Sequence, residues 1–240
     1  MKQLFLLLIT SPIFLMAQTT DSTKQKKFAI GINFSPDYCY RNFIQPTRIT
    51  DNSQDYYSYN ELPKYGYTTG LTFDVNVGKH FMLETGILFV NKGVIIDETF
   101  YDQIYSNGTK DIYSTTKITL HHYFLDIPIK ANIKILTKRF KLYISTGAVF
   151  NIALGYKNIS EITYPSSPSK NYSNSSFATS FQSPLGMTLL LGMGASYDLN
   201  KKITVRIEPI YRQSLNSTFQ LKSNGVYYSI GTNIGVSYNF

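Results

Sequence analysis

The chain has 240 residues, of which 16% are charged and 15% aromatic, with 20 Tyr, 16 Phe and no Trp. Soluble domains usually carry about 25% charged residues, so the low charge and high aromatic content argue against both disorder and an ordinary cytosolic enzyme. A single cysteine, Cys39, rules out an intramolecular disulfide framework or a Cys-cluster zinc site. No segment supplies the several apolar runs of about 20 residues that a helical membrane bundle needs.

Met1–Lys2 and the apolar stretch Leu4–Met16, ending at Ala17-Gln18, predict a secretory signal peptide over 1–17. No cysteine follows that would mark a lipoprotein anchor. Cleavage would take Lys2 and no acid, so the net charge falls by one from the +8 of the whole chain. The basic residues are scattered rather than clustered, and an exported chain rarely meets nucleic acid, so no nucleic-acid partner is expected. Residues 18–27 are polar and unpatterned, which predicts a flexible periplasmic lead-in to a domain over 28–240.

From there the dominant signal is period two, the spacing of strands with two unlike faces. Phe28–Arg41 places Phe28, Ile30, Ile32, Phe34, Tyr38 and Tyr40 opposite Gly31, Asn33, Ser35 and Asp37. Tyr65–Gly78 sets Leu71, Phe73, Val75 and Val77 against Gly70, Thr72, Asp74 and Asn76. The pattern recurs in Phe81–Lys92, Ile118–Ile135, Phe140–Tyr156, Leu185–Leu199, Ile203–Gln213 and the last segment from Val226 to Phe240. Eight strands are therefore predicted. Gly78–His80, Leu136–Arg139 and Asn200–Lys202 read as tight turns, whereas 42–64, 93–117 and 157–183 read as long loops, all at one end of an up-and-down sheet. Ser214–Gly225 is intermediate. Asn107-Gly108 and Pro165–Pro168 supply turn chemistry inside the long connections.

Alternation alone does not say which face is inward. Three features favour an apolar exterior: a polar face of small residues suited to a narrow lumen, strands of 11 or more residues, and aromatic residues near strand ends. The aromatic positions are Phe28, Tyr40, Tyr65, Phe81, Tyr156, Tyr211, Tyr228, Tyr238 and Phe240. Short turns at one end against long loops at the other match outer-membrane barrels. The expected fold is all-β, an eight-stranded antiparallel up-and-down transmembrane β-barrel with both termini in the periplasm. A small-solute pore and a soluble periplasmic ligand-binding barrel are the alternatives.

The carriers of a family resemblance are the leader ending Ala17-Gln18, the strand Tyr123-Phe124-Leu125-Asp126-Ile127-Pro128-Ile129-Lys130, and the terminal Gly235-Val236-Ser237-Tyr238-Asn239-Phe240. Together they resemble the outer-membrane β-barrel family common in Bacteroidetes, termed PorT-like, and more distantly OmpX- and OmpA-type barrels. The resemblance implies residence in the Gram-negative outer membrane among membrane lipids. It also implies that Tyr238 and Phe240 form a signal for the barrel-assembly machinery, and that the protein has a part in a secretion apparatus.

The lumenal face would carry Asp37, Arg41, Asp74, Glu84, Lys92, Asp126, Lys130, Lys134, Lys141, Asp198, Arg206, Glu208 and Arg212. Charges in a narrow lumen must pair or stay hydrated, so a salt-bridged plug centred on Asp74, Glu84, Asp126, Lys130, Arg206, Glu208 and Arg212 is expected. Cys39 would be a small lumenal space-filler. His121 and His122 point to opposite faces of a strand and cannot chelate together. His122 shares a face with Asp126 but lies roughly 13 Å from it along an extended chain. With no G-x-S-x-G segment, no metal-spacing motif and no phosphate loop, neither catalysis nor a metal or cofactor is expected. Tyr56–Tyr59 and Tyr101–Tyr113 mix aromatic and polar residues as recognition surfaces do, which makes the outer loops candidates for protein partners.

Overall fold

A computed structural model describes residues 27–43, 57–104, 110–165, 167–177, 184–215 and 225–240. The expected leader over 1–17 and most of the lead-in over 18–27 lie outside these residues, as do Asn107-Gly108 and most of the 42–56 connection.

The described chain forms β1 (Phe28–Phe43), β2 (Tyr57–Val77), β3 (Phe81–Lys92), β4 (Val94–Ile104), β5 (Lys110–Lys134), β6 (Phe140–Tyr164), β7 (Ser167–Phe177), β8 (Leu185–Asp198), β9 (Ile203–Ser214) and β10 (Gly225–Asn239). All pairings are antiparallel. β3 and β4 are one wall strand interrupted only at Gly93, since both lie between β2 and β5. Likewise β7 and β8 both follow along β6, β7 on its outer part and β8 on its inner part. The ring thus has eight staves. It closes where β1 meets β10, from Ala29↔Asn239 to Phe43↔Gly225. Closure removes the sheet edge that would otherwise invite aggregation, and in a membrane it also satisfies every wall backbone group.

The barrel is inverted relative to a soluble one. Ile32, Leu71, Ile87, Ile129, Leu189, Leu191, Met193, Ile207, Ile230 and Ile234 are exposed on the outside, while Asp37, Asp74, Glu84, Lys130, Glu208 and Asn132 are buried inside. A soluble barrel would leave this apolar exterior in water at about 25 cal/mol per Å², so the soluble alternative is set aside.

Two aromatic belts bound the apolar band. At the outer rim the rings touch in series: Tyr38–Tyr65 and Tyr40–Tyr228 with centroids 5.4 Å apart, Tyr67–Phe89 at 6.2 Å, Phe89–Tyr123 at 5.9 Å and Tyr211–Tyr228 at 6.4 Å. At the inner rim Phe28, Phe140, Tyr197, Tyr238 and Phe240 are exposed. There Arg139 lies 5.2 Å over Tyr197 and Lys202 lies 5.8 Å over Tyr238. From Tyr228 to Tyr238 is about 33 Å of strand, or about 25 Å along the membrane normal at a tilt of about 40°, which matches the apolar height of such barrels.

Two expectations need correcting. Much of the presumed long loops is strand: β2 begins at Tyr57, β4 and the first part of β5 occupy most of 94–117, and the end of β6 with β7 occupies most of 157–177. Beyond the outer belt one face is still covered in β4 and β5, at Val94, Ile96, Ser114 and Thr116, whereas β7 is exposed on both faces, so the in/out alternation fades toward β7 although Tyr-, Thr- and Ile-rich segments still pair. Tyr156 also changes side. Between Tyr123↔Gly155 and Phe124↔Ala153 the register shifts by one residue, so Leu154 is the extra residue of a bulge. Past it Tyr156 pairs with the buried His122 and shares its face.

At the inner end the β2–β3 turn depends on Gly78, whose φ of 75° is costly for any residue with a Cβ. Phe240 N donates to Phe28 O at 3.0 Å and ties the two termini together at this end. The tight turns and both described ends therefore share one end of the barrel, the end that carries the short turns in outer-membrane barrels.

Candidate functional site

Period two sends alternate residues of every stave into one narrow interior, and the polar set there assembles into a column. Lys130 Nζ sits 2.9 Å from Glu84 Oε1 and 2.8 Å from Glu208 Oε2. Arg206 Nη1 reaches Glu84 Oε2 at 2.7 Å, and its Nη2 pairs with Asp74. Glu208 is 0% exposed and Lys130 2%, so these charges are held by one another rather than by bulk water. Neutral groups complete the set: Ser145 Oγ donates to Glu208 Oε1, Asn132 Nδ2 donates to Glu84 Oε2 at 3.4 Å, and Asn233 Nδ2 donates to Glu208 Oε2 at 3.4 Å.

Asn233 is also the link outward, because Arg212 Nη2 donates to its Oδ1 at 3.1 Å. Arg212 Nη1 in turn meets Asp37 Oδ1 at 2.6 Å, and Asp37 accepts from Ser35 Oγ at 2.7 Å and Thr68 Oγ1 at 2.5 Å. One connected chain therefore runs Asp37–Arg212–Asn233–Glu208–Lys130–Glu84–Arg206–Asp74. Six of the seven charges expected in the plug stand in it. Asp126 stands apart, accepting from Asn151 Nδ2 at 2.7 Å, while Thr188 Oγ1 donates to Asn151 Oδ1 at 2.7 Å. Its countercharge is Lys92, whose ammonium lies 4.2 Å from the Phe124 ring centroid.

The interior is not wholly polar. Val90, Phe124 and Ala153 form one buried apolar cluster, Val149, Leu190 and Ile210 a second, and Val94, Ile96, Leu120 and Tyr227 a third with Ile118 packed on it. Tyr227 Oη lies 3.0 Å from His122 Nδ1, and Arg41 pairs with Glu61 beside them. The first and third clusters cap the column on its outer side. Sequence reasoning missed them by sorting strands into one apolar and one polar face, although Phe124 and Leu120 share the parity of Asp126 and Lys130. It also passed over Asn233, Asn151 and Ser145, which join or complete charged groups without being charged.

Small residues make room for this content. A Cβ at Gly231 would fall 1.9 Å from Asp37 Oδ1 and 2.7 Å from Ser35 Oγ. One at Gly194 would fall 2.4 Å from Cζ of Tyr143, whose ring lies across the glycine it pairs with. Cys39 is buried among the same groups, as expected for a space-filler.

At the short-turn end the lumen opens into a cavity of about 250 Å³, narrowing above to about 40 Å³. Lys141 pairs with Asp198 there at 2.7 Å, and Lys134 donates to Asn76. Tyr238 and Phe240 lie at this end on the outer surface, their rings 5.2 Å apart.

At the opposite end the outer parts of β2, β4, β5, β6 and β7 continue past the aromatic belt as a five-stranded sheet. Among the described residues its edges are β7, which pairs only with β6, and Tyr57–Pro63 of β2, which pairs only with β4. β7 is exposed on both faces, with Tyr172 at 55%. Among the described residues no group of His, Cys, Asp or Glu is arranged to hold a metal ion.

A model of the family described as outer membrane protein beta-barrel domain matches residues 16–220. The chain belongs to that family. Its place is accordingly the outer membrane, in keeping with the apolar band and belts. Among solved structures, the chain is similar to Neisserial surface protein A at 13% identity, covering 89% of this chain and 97% of that one with a TM-score of 0.41. It is also similar to OprG from Pseudomonas aeruginosa at 12% identity, with coverages of 90% and 97% and a TM-score of 0.39. For Ail, the attachment invasion locus protein of Yersinia pestis, the values are 10% identity, coverages of 90% and 100%, and a TM-score of 0.37. No curated protein matches the chain in sequence.

Proposed function

We propose that this outer-membrane barrel is a non-conducting scaffold that presents its outer sheet to protein partners, as a component of a surface or secretion assembly. The observation that carries the reading is the division of the molecule into a filled lumen and a projecting sheet with one-sided edges. Eight staves leave an interior only wide enough for side chains, and the ion column with its apolar caps occupies it, which weighs against the small-solute pore. Among the described residues β7 has a neighbour on one side only, and a strand edge open in this way is a template for a partner's strand, here without a competing membrane surface. The resemblance to PorT-like barrels of Bacteroidetes supports a place in a secretion assembly. The reading gives the chain no catalytic role. Tyr238 and Phe240, closing β10 on the outer surface, are the segment it assigns to the barrel-assembly machinery.

The test is mild-detergent purification from native outer membranes followed by mass spectrometry. It compares the natural chain with one in which a two-residue Asn-Gly turn joins the paired Asn158 and Asn174 in place of the hairpin between them. Partners should co-purify in fixed ratio with the natural chain and be lost with the shortened one. A natural chain that emerges alone, or partners indifferent to the hairpin, would overturn the proposal.

A further inference from the structure

The mouth at the short-turn end has a composition that neither the barrel wall nor the ion column requires. Its cavity of about 250 Å³ is lined by Lys79, Lys134, Lys141 and Lys201, with Asp198 as the one acid. That leaves an excess of three positive charges around a single concave space. Lys134 lies in the field of Lys141 as well as of Asp74 and Asp198, and its hydrogen bond goes to the neutral Asn76. Like charges gathered at a mouth raise the local potential and draw in counter-ions, and the low-dielectric wall around them focuses that field.

The recess above the cavity is different in kind. In the narrower recess above, Tyr143 is 3% exposed and its hydroxyl has no hydrogen-bond partner among the described residues. Asp74 lines the same recess and its Oδ1 also lacks a partner among the described residues, so the recess holds one unmet donor and one unmet acceptor, each costing on the order of 1–3 kcal/mol if left dry. Arg206 lines the same recess, already paired with Asp74 and Glu84.

We propose that the periplasmic mouth is a binding site for a compact oxyanion carrying two or more negative charges, of the pyrophosphate class, taken from the periplasm. Lysine ammoniums act as point charges on phosphate oxygens and impose no planar fork, which suits a compact tetrahedral group better than a flat carboxylate. The cavity opens inside the ring of staves, whereas leaflet headgroups lie outside the wall beside Arg139 and Lys202, so the source is a soluble anion. This inference is independent of the partner-binding role of the outer sheet.

The test is calorimetric titration of the full-length protein in phosphatidylcholine nanodiscs with pyrophosphate. Lys79→Gln/Lys201→Gln removes two exposed cavity lysines in tight turns, and Lys138→Gln/Lys202→Gln removes the same charge from outside the cavity. Heat-modifiable mobility on a gel confirms that each variant is folded. The expected result is saturable binding near one site per chain, weakened at least tenfold by the cavity pair and less than twofold by the outside pair. Absent saturation, or equal weakening by both pairs, would overturn the site. Loss of pyrophosphate binding when phosphatidylglycerol replaces half of the lipid would show that headgroups occupy the mouth and would overturn the soluble source.

Discussion

Between the aromatic belts each stave separates two unlike environments, lipid outside and a crowded polar interior inside. Beyond the outer belt the same strands run on as β4, β7 and the outer parts of β2, β5 and β6, with water on most sides. The difference shows in exposure. In β8, Leu189, Leu191 and Met193 are exposed while the alternate residues Thr188, Leu190 and Gly192 are buried, whereas nearly every described residue of β7 is exposed. One region is specified residue by residue because a slip of one position would reverse every side chain. The other is held by backbone pairing and by one apolar patch at its base, and is free to vary in sequence.

That contrast predicts a steep fall in mutational cost from lumen to membrane face to outer sheet. The largest effect belongs to Gly231→Arg or Gly192→Arg. A Cβ at Gly192 already falls 2.6 Å from Ser145 Oγ and 2.8 Å from Glu208 Oε1, and arginine adds an unpaired charge. Neither variant should yield a folded, heat-modifiable species on a gel. Next comes Lys130→Met, which leaves Glu84 and Glu208 without their shared cation. Urea titration in lipid should show a loss of about 3–5 kcal/mol, with part regained on adding Glu208→Gln. Full stability in Lys130→Met would mean that solvent, not Lys130, neutralises those carboxylates.

On the membrane face, Ile234→Arg, four residues from the inner-belt Tyr238 and six from the outer-belt Tyr228, should cost about 2–4 kcal/mol near mid-bilayer. The same change at Ile159, exposed on the outer sheet, should cost under about 0.5 kcal/mol. Equal costs at Ile234 and Ile159 would erase the boundary drawn at the outer belt. At the small end, Tyr172→Ser on β7 should leave unfolding unchanged within about 0.5 kcal/mol while weakening any partner captured through the hairpin.

The sequence was most legible where physics is most two-sided. The alternation of Val226–Phe240 or Leu185–Leu199 names both faces, and the eight staves with their tight periplasmic turns follow from it. The outer parts of β5 and β6 were read as loops because Thr115–Lys117 and Ile159–Thr163 alternate weakly in a setting that no longer demands it. In the lumen, charge revealed Lys130 and Glu208 because burying such groups compels partners. Asn233 carried no such compulsion, and its role as a link depends on the register that sets it opposite Glu208. Phe124 and Val90 were hidden for the converse reason: apolar side chains were assigned to lipid, although a barrel narrow enough to need filling uses them at its capped end. The bulge at Leu154, which turns Tyr156 inward, has no period-two signature.

The central claim is an interior filled by its own side chains. Its most direct test is the conductance of the purified full-length protein in a planar lipid bilayer. A filled lumen predicts insertion, verified by protease-protected fragments, without discrete current steps at moderate voltage. Reproducible unitary steps from the natural chain would contradict it, and would mean that the column from Asp37 to Asp74 lines a water path instead of blocking one.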